Sequence, residues 1–298
     1  MKSIVVASGK GGTGKTTLTA VFAHLAAREA RIVVADADVE ASNLPLALRV
    51  RTDGCVAYSG GSEAVIDESA CSACGACEDV CRFGAIVPGP DAFAVDRLSC
   101  EGCGRCVRVC PTGAISMTLR TVGEVCTGRS EVGPAAFGQL GPGQDLSGRL
   151  VTEVRRLASD AADHHDAGLL LIDGPPGIGC PLIAAVANTD LIVAVTEPSV
   201  SGAHDLLRLV ELARRFNLPV RVVLNKADLA EQGAEGIRDL CRTHSLPIVA
   251  EVPFDPAVAG MLEMLARGGS IAEARSPALD AIREAWQTIR VEMGGESS

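Results

Sequence analysis

Ile4-Val5-Val6-Ala7-Ser8-Gly9-Lys10-Gly11-Gly12-Thr13-Gly14-Lys15-Thr16-Thr17 decides how the rest of the chain is read. A short apolar run of this kind fits a buried strand, and the turn after it fits G-x-x-x-x-G-K-T at the entry to a helix. Glycines let successive backbone N–H groups turn toward one point, and a helix N-terminus favours an anion there. The spacing predicts a phosphate loop of Gly9, Gly11, Gly12, Thr13, Gly14, Lys15, Thr16 and Thr17. Lys15 is expected to neutralise the β- and γ-phosphates, and Thr16 to offer its hydroxyl to Mg²⁺.

Outward from this loop, short apolar runs recur at Ile32–Ala35, Leu169–Ile172, Leu191–Val195, Val220–Leu224 and Ile248–Val252. Helix-like stretches lie between most of them, among them Thr16–Ala30, Ala203–Phe216 and Ala234–His244, and a last helix is expected from about Pro277 to Val291. Such alternation predicts an α/β fold, a mostly parallel sheet flanked by helices, with ligands at the carboxyl ends of the strands. Aromatic residues make up only 3% of the 298 residues, so Ala, Val, Ile and Leu must fill the core. A frayed tail is expected over Gly294–Ser298.

Three strand ends carry candidate chemistry. Asp36-Ala37-Asp38 follows the second strand, although paired acids there also serve as ordinary loop or cap residues. Leu169-Leu170-Leu171-Ile172-Asp173 is an apolar strand ending in an acid, so Asp173 is expected to hold Mg²⁺, through water. The stiff turn Gly174-Pro175-Pro176-Gly177 follows, and its Gly177 amide can meet the γ-phosphate. Asn225-Lys226-Ala227-Asp228 is ambiguous, because N-K-x-D is also a guanine-reading motif. The next strand runs into Val252-Pro253-Phe254-Asp255 rather than a Ser-Ala-Lys segment, which favours ATP.

The stretch from about Thr52 to Arg149 breaks the alternation. It contains Cys71-x2-Cys74-x2-Cys77-x3-Cys81 and Cys100-x2-Cys103-x2-Cys106-x3-Cys110-Pro111, two copies of the bacterial ferredoxin spacing. The repeat reaches beyond the cysteines: shifted by 29 positions, Gly75 meets Gly104, Val80 meets Val109, and Gly84-Ala85-Ile86 meets Gly113-Ala114-Ile115. In such pairs the fourth cysteine of each run crosses to the other centre. One [4Fe-4S] cluster is thus expected on Cys71, Cys74, Cys77 and Cys110, and a second on Cys100, Cys103, Cys106 and Cys81. Zinc knuckles fit this spacing poorly. Arg82 stands where many runs have proline. The expected division is residues 1–60 and 150–298 for the nucleotide domain, 61–120 for an inserted α+β ferredoxin-like domain, and 121–149 for a Gly-rich connector.

With 27 Lys and Arg against 37 Asp and Glu, the net charge of −10 argues against nonspecific nucleic-acid binding. Gly9 and Lys10 end the first apolar run too early for a signal peptide, and no stretch is long enough to span a bilayer. A cytoplasmic location without membrane insertion is expected, where clustered cysteines bind metal more often than they form disulfides. Of the four remaining cysteines, Cys241 reads as buried filler. Cys180 follows the Gly177 turn, where a shared metal site is conceivable. Cys55 and Cys126 have no assigned role.

Lys10 inside Lys10-Gly11-Gly12-Thr13-Gly14-Lys15-Thr16 resembles the deviant Walker A loop of the MinD, ParA, Mrp and nitrogenase iron-protein ATPases. Together with the cysteine runs, the chain resembles MinD-superfamily P-loop NTPases that contain an inserted two-cluster ferredoxin domain. The likeness extends through Ser147-Gly148-Arg149-Leu150-Val151 and Thr196-Glu197-Pro198-Ser199; Leu146 departs from an Asn in the family pattern. The resemblance implies a dimer, homomeric or with a related ATPase, in which Lys10 reaches the partner's nucleotide. It implies Asp38 as the residue that orients or deprotonates the attacking water, with Asp36 near the metal shell, and Gly177 in a nucleotide-sensing turn. It further implies Asn225 in contact with adenine, and Pro253 closing over the base with Asp228 nearby. The leading expectation is an ATPase that gates electron transfer to a redox partner. The alternatives are an Mrp-type cluster or metal-cofactor carrier serving an acceptor protein, and a MinD-like positioning ATPase. For the last, the stripe of Leu279, Ile282, Trp286 and Ile289 reads more simply as core.

Overall fold

A computed structural model describes residues 1–144, 147–267 and 274–294. The chain opens with β1 (Lys2–Ser8), α1 (Lys15–Ala26), β2 (Ile32–Asp36), α2 (Leu44–Ala47) and β3 (Arg51–Ile66). The cysteine-rich stretch holds α3 (Ala76–Asp79), β4 (Ile86–Pro88), β5 (Phe93–Val95) and α4 (Arg105–Val109), and β6 (Ile115–Ser130) and β7 (Gly133–Leu140) follow. Then come α5 (Ser147–His164), β8 (Leu169–Pro176), α6 (Cys180–Val186), β9 (Leu191–Thr196), α7 (Val200–Arg215), β10 (Val220–Asn225), α8 (Glu231–His244) and β11 (Ile248–Val252). Three helices close the described chain: α9 (Pro256–Ala259), α10 (Met261–Ala266) and α11 (Pro277–Glu292). Residues 295–298 of the expected tail, and Leu146, lie outside the described residues.

Two compact units are present: residues 1–56, 125–139 and 147–298 form the first, and 57–124 with 140–146 the second. The sheet order is β11-β10-β9-β1-β8-β2-β7-β6-β3. From β11 to β7 the pairings are parallel. Ile4 to Ala7, Ile32 to Ala35 and Leu191 to Val195 are all at most 3% exposed, as expected of strands covered on both faces. In the second unit β4 and β5 form an antiparallel pair.

The stretch 121–149, expected as an ordered Gly-rich connector, carries regular secondary structure. It supplies the end of β6, the whole of β7 and the start of α5. β7 enters the core sheet beside β2, with Val34 opposite Ala135 and Asp36 opposite Phe137. Its small residues, which read as linker, are the residues a close approach demands. A Cβ on Gly138 would stand 2.8 Å from Val154 Cγ2 on α5 and 3.1 Å from Val39 Cγ1. Cys55 and Cys126, which the sequence left without a role, form a disulfide within the first unit. β3 and β6 are neighbours in the sheet, and folding brings together thiols 71 residues apart.

Ser276 caps α11 by accepting the Leu279 N–H at 3.2 Å, with Pro277 at the first helical position. Leu279, Ile282, Trp286 and Ile289 are at most 5% exposed, and the Trp286 ring lies 5.3 Å from that of Phe22 on α1. The stripe is therefore core rather than a membrane-facing edge. No described helix is long and apolar enough to cross a membrane. Trp286→Ala is expected to destabilise the fold by about 3–5 kcal/mol. Urea unfolding should show this as a lower midpoint at an unchanged slope; an unaltered midpoint would remove α11 from the core.

Candidate functional site

The phosphate loop joins β1 to α1 in the first unit. Gly12 and Gly14 take φ of +76° and +95°, conformations that glycine adopts without strain. Gly14 also lies so close to β10 that a Cβ would stand 2.4 Å from the Asn225 Nδ2. Gly9 has no room either, because its Cβ would meet Asp205 on α7 at 2.1 Å. Gly11 and Gly12 face open space. Thr13 Oγ1 is buried without a hydrogen-bond partner, an orphan that a bound ligand can satisfy.

Around the loop are acids that folding has taken out of water. Asp36 and Asp173 stand opposite each other on β2 and β8, each 1% exposed. Thr16 and Thr19 donate their hydroxyls to Asp173 at 2.6 and 3.1 Å. Asp36 accepts from the Ser42 hydroxyl at 2.8 Å, the Leu44 N–H at 2.9 Å and the Asp38 N–H at 3.0 Å. Burial pushes the Asp173 carboxyl up to about 6 and raises Asp36 as well, with the neighbouring Asp173 adding to the rise. Lys15, 6% exposed, is lowered by its own burial, which the charges of Asp173, Asp38 and Asp36 oppose. Two carboxylates beside one lysine leave negative charge to be balanced, the electrostatics of a divalent-cation site.

Asp38 accepts the Ala41 N–H at 3.3 Å, a turn contact, yet it also lines a cavity of about 700 Å³ with Gly11, Lys15, Thr16 and Thr17. Burial raises its carboxyl above the ordinary range. A second, more apolar cavity of about 310 Å³ shares Gly12, Gly14 and Thr17 with the first. Leu18, Val223, Val252, Pro253 and Phe254 are among its lining residues. The two hollows suit a polyphosphate and a flat heterocycle respectively.

Three of the expected residues already have hydrogen-bond partners within the protein. The Gly177 amide donates to the Ser8 carbonyl at 3.1 Å, because β8 remains paired to β1 as far as Pro176. It is therefore engaged within the protein. The Asn225 side chain donates to the Thr13 carbonyl at 2.7 Å and accepts the Lys226 N–H at 3.0 Å, so it braces the phosphate loop, and it also lines the apolar cavity. Asp228 accepts the Phe254 N–H at 2.6 Å and does not line the apolar cavity; it holds the Pro253-Phe254 wall in place.

Glu197, just after β9, gathers contacts that the sequence reading did not single out. Lys10 forms an ion pair with it and also donates to the Ser201 hydroxyl at 3.1 Å. Lys226 reaches Glu197 at 3.3 Å and the Gly12 carbonyl at 3.0 Å. Burial opposes the charge on Glu197, but the two lysines hold its carboxyl below the ordinary range. Its motif, Thr196-Glu197-Pro198-Ser199, was visible; the convergence of two lysines on it was not.

In the second unit the two cysteine runs line two cavities. One is lined by Cys71, Cys74, Cys77 and Cys110, the other by Cys81, Cys100, Cys103 and Cys106. Each cavity takes three thiols from one run and the fourth from the other. Cys77, Cys100 and Cys106 are buried, while Cys74 and Cys103 are exposed. The Ala85 amide points at Cys81 Sγ at 3.3 Å. Four thiols around a small hollow are a donor set for a thiophilic metal centre. Cys180 is exposed at the start of α6, and Cys241 is buried in α8.

The buried carboxylates generate a signed prediction for the chain without nucleotide or divalent cation. A raised folded pKa means that folding takes up protons below that value, so stability rises as pH falls from above about 6 toward the unfolded carboxylate range near about 4. The thermal midpoint should therefore increase on going from about pH 7.5 to about pH 5.5, and Asp173→Asn should flatten the slope. A midpoint that falls over this window would contradict the assignment.

Comparison with known proteins places this geometry. Residues 4–264 match the model of the CobQ/CobB/MinD/ParA nucleotide binding domain. The uncharacterized protein MJ0578 of Methanocaldococcus jannaschii is 33% identical over 288 residues, 96% of each chain. An iron-sulfur cluster carrier protein of Rickettsia felis is 22% identical over 263 residues, which cover 87% of this chain and 63% of the relative. Among solved structures, the septum site-determining protein MinD of Pyrococcus horikoshii, complexed with Mg-ADP, superposes with a TM-score of 0.58 at 18% identity over 98% of this chain and 97% of that one. The parallel sheet, the phosphate loop and this match together make the chain a member of the CobQ/CobB/MinD/ParA nucleotide-binding domain family.

Proposed function

We propose that the chain is a dimer-forming ATPase that holds two [4Fe-4S] clusters and uses its nucleotide cycle to gate electron transfer through them. The observation that carries the cluster part is the crossing of the fourth cysteines: Cys110 completes the cavity of the first run, and Cys81 that of the second. A 2[4Fe-4S] ferredoxin requires this arrangement, and two isolated zinc knuckles do not. When bound, such clusters supply one-electron storage and relay.

On the nucleotide side, Lys15 and the loop amides meet the phosphates. Thr16 and Asp173 hold Mg²⁺, Asp36 contributes charge behind them, and Asp38 orients the attacking water. ATP is favoured over GTP because Asp228 is turned to the Phe254 amide rather than to the apolar cavity. Lys10 rests on Glu197 in the single chain and must leave it to reach a second copy's nucleotide. Lys226 stays behind to neutralise Glu197, which eases the release. Coupling to the clusters has a covalent route: the chain returning from the cysteine unit enters β7, which is hydrogen-bonded along β2, the strand that ends in Asp36. The expected redox partner is a protein; no nucleic acid is required.

A second reading, an iron-sulfur carrier, is favoured by the name of the Rickettsia felis relative. Full internal ligation by eight cysteines counts against it, since a carrier must release what it holds.

Two experiments test the proposal. Anaerobic reconstitution should give about eight irons per chain. Cys77→Ser with Cys110→Ser should lose only one cluster's signal, whereas Cys77→Ser with Cys81→Ser should damage both; the reverse pattern would refute the crossed ligation. Lys10→Ala should bind MgATP within about threefold of the parent but lose ATP-dependent dimerisation and hydrolysis. Sedimentation showing an intact dimer in that variant would remove the role of Lys10. Release of clusters to an apo-acceptor faster than ATP-linked electron transfer would favour the carrier instead.

A further inference from the structure

The two halves of the cysteine unit are related by a shift of 29 positions, yet their rims differ in chemistry. The cavity of Cys81, Cys100, Cys103 and Cys106 is also lined by Phe83, Glu101 and Arg105, and Arg82 lies between the ligand Cys81 and Phe83. At the positions equivalent by the 29-residue shift stand Thr112, Ser72, Ala76 and Pro111, of which Thr112 and Ser72 line the other cavity. Each cavity has one aromatic lining residue, Phe83 or Phe93, but the first rim carries charge, Glu101 and Arg105 with Arg82 next to Phe83 in sequence, and the aligned positions of the other carry none. The short helices differ in the same sense: α4 carries Arg105 and Arg108, whereas α3 carries Glu78 and Asp79.

These groups are available. Arg82, Arg105 and Arg108 are exposed and form no ion pair among the described residues, in contrast to Arg97, which donates from Nε and Nη2 to the two carboxylate oxygens of Glu63. Phe83 is 44% exposed, and Cys103 opens to solvent at the same cavity. A protein of net charge −10 repels acidic partners over most of its surface. A local basic mouth within that field orients such a partner and raises its encounter rate. An exposed aromatic side chain beside arginine, Phe83 with Arg105 on the same cavity and Arg82 next in sequence, also has the composition of an interface anchor.

We propose that the mouth formed by Arg82, Phe83 and Arg105 is the docking site for a small acidic one-electron carrier protein, and that the cavity of Cys81, Cys100, Cys103 and Cys106 is the port through which electrons enter or leave. One electron passes between carrier and centre, one being oxidised as the other is reduced, and no covalent bond is made. This rests on the two-cluster reading above, and the test separates the two claims.

The probe is a flavodoxin, an acidic flavin carrier, with basic cytochrome c as the opposing control. Binding is measured by titration calorimetry and electron exchange by anaerobic stopped flow, on the reconstituted full chain. Arg82→Glu with Arg105→Glu should weaken flavodoxin binding and lower the second-order rate constant by at least about tenfold at low salt, and should abolish most of its ionic-strength dependence. Glu78→Lys with Asp79→Lys should change either by no more than about twofold. Iron content must equal that of the parent in both variants, which shows that the cavities are intact. The proposal fails if the arginine reversal leaves affinity and salt dependence unchanged, if the α3 reversal matters as much, or if cytochrome c is the faster partner. A parent chain that takes up no iron overturns the cluster reading, and calorimetry of flavodoxin on that chain against the arginine variant still decides the docking claim.

Discussion

The nucleotide unit is organised around charge that has been removed from water. Asp36 and Asp173 face each other across paired parallel strands, almost fully buried, with Lys15 as the nearest cation. Hydroxyls of Thr16, Thr19 and Ser42 and the amides of Leu44 and Asp38 satisfy their lone pairs but not their charge. A site of this kind is stable only because the surrounding sheet is well packed, and it is receptive to a divalent cation with a phosphate for the same reason. The loop after β2, the start of α1 and the end of β8 are all tied to those two side chains, so a change in the ions present is felt by three segments together.

The braces around the phosphate loop show how the fold divides labour. Asn225 holds the Thr13 carbonyl, Lys226 holds Gly12, and Glu197 gathers Lys226 and Lys10. These contacts fix the loop without occupying its open face at Gly11 and Gly12. Asp228 acts one step further out, on the Phe254 amide that shapes the base-sized hollow. Asn225 and Lys226 of the N-K-x-D motif thus brace the loop and also line that hollow, and the motif's presence alone does not select the base.

The cysteine unit holds two runs of the same cysteine spacing, related by a shift of 29 positions, whose neighbouring residues differ. Glycines at equivalent positions, Gly75 and Gly104, both take positive φ ahead of their short helices, which preserves the turn that carries the cysteines. Beyond those turns the halves part in charge: Arg105 and Glu101 line one cavity, whereas Ser72 and Thr112 stand at aligned or neighbouring places of the other. Conserved geometry with divergent rims lets two chemically similar cavities face different surroundings.

Most of this was legible in one dimension because the relevant chemistry is local. A phosphate loop needs its glycines, lysine and hydroxyl within a few consecutive residues, and each cysteine run carries its spacing within a single turn and short helix. Long-range contacts were not legible. The role of β7 was hidden because Gly133 to Leu140 reads as linker until α5 is seen to press against Gly138. Likewise, Glu197 lies 187 positions from Lys10, Asn225 lies 212 from Thr13, and Cys55 lies 71 from Cys126. The amide of Gly177 was assigned to a phosphate when the continuing β1–β8 pairing directs it to Ser8. Sequence by itself determined which residue types were present and which of them were close along the backbone. Tertiary structure decided which donors were already taken, because a hydrogen bond or ion pair depends on distances of a few ångströms that only the packed sheet and its helices set.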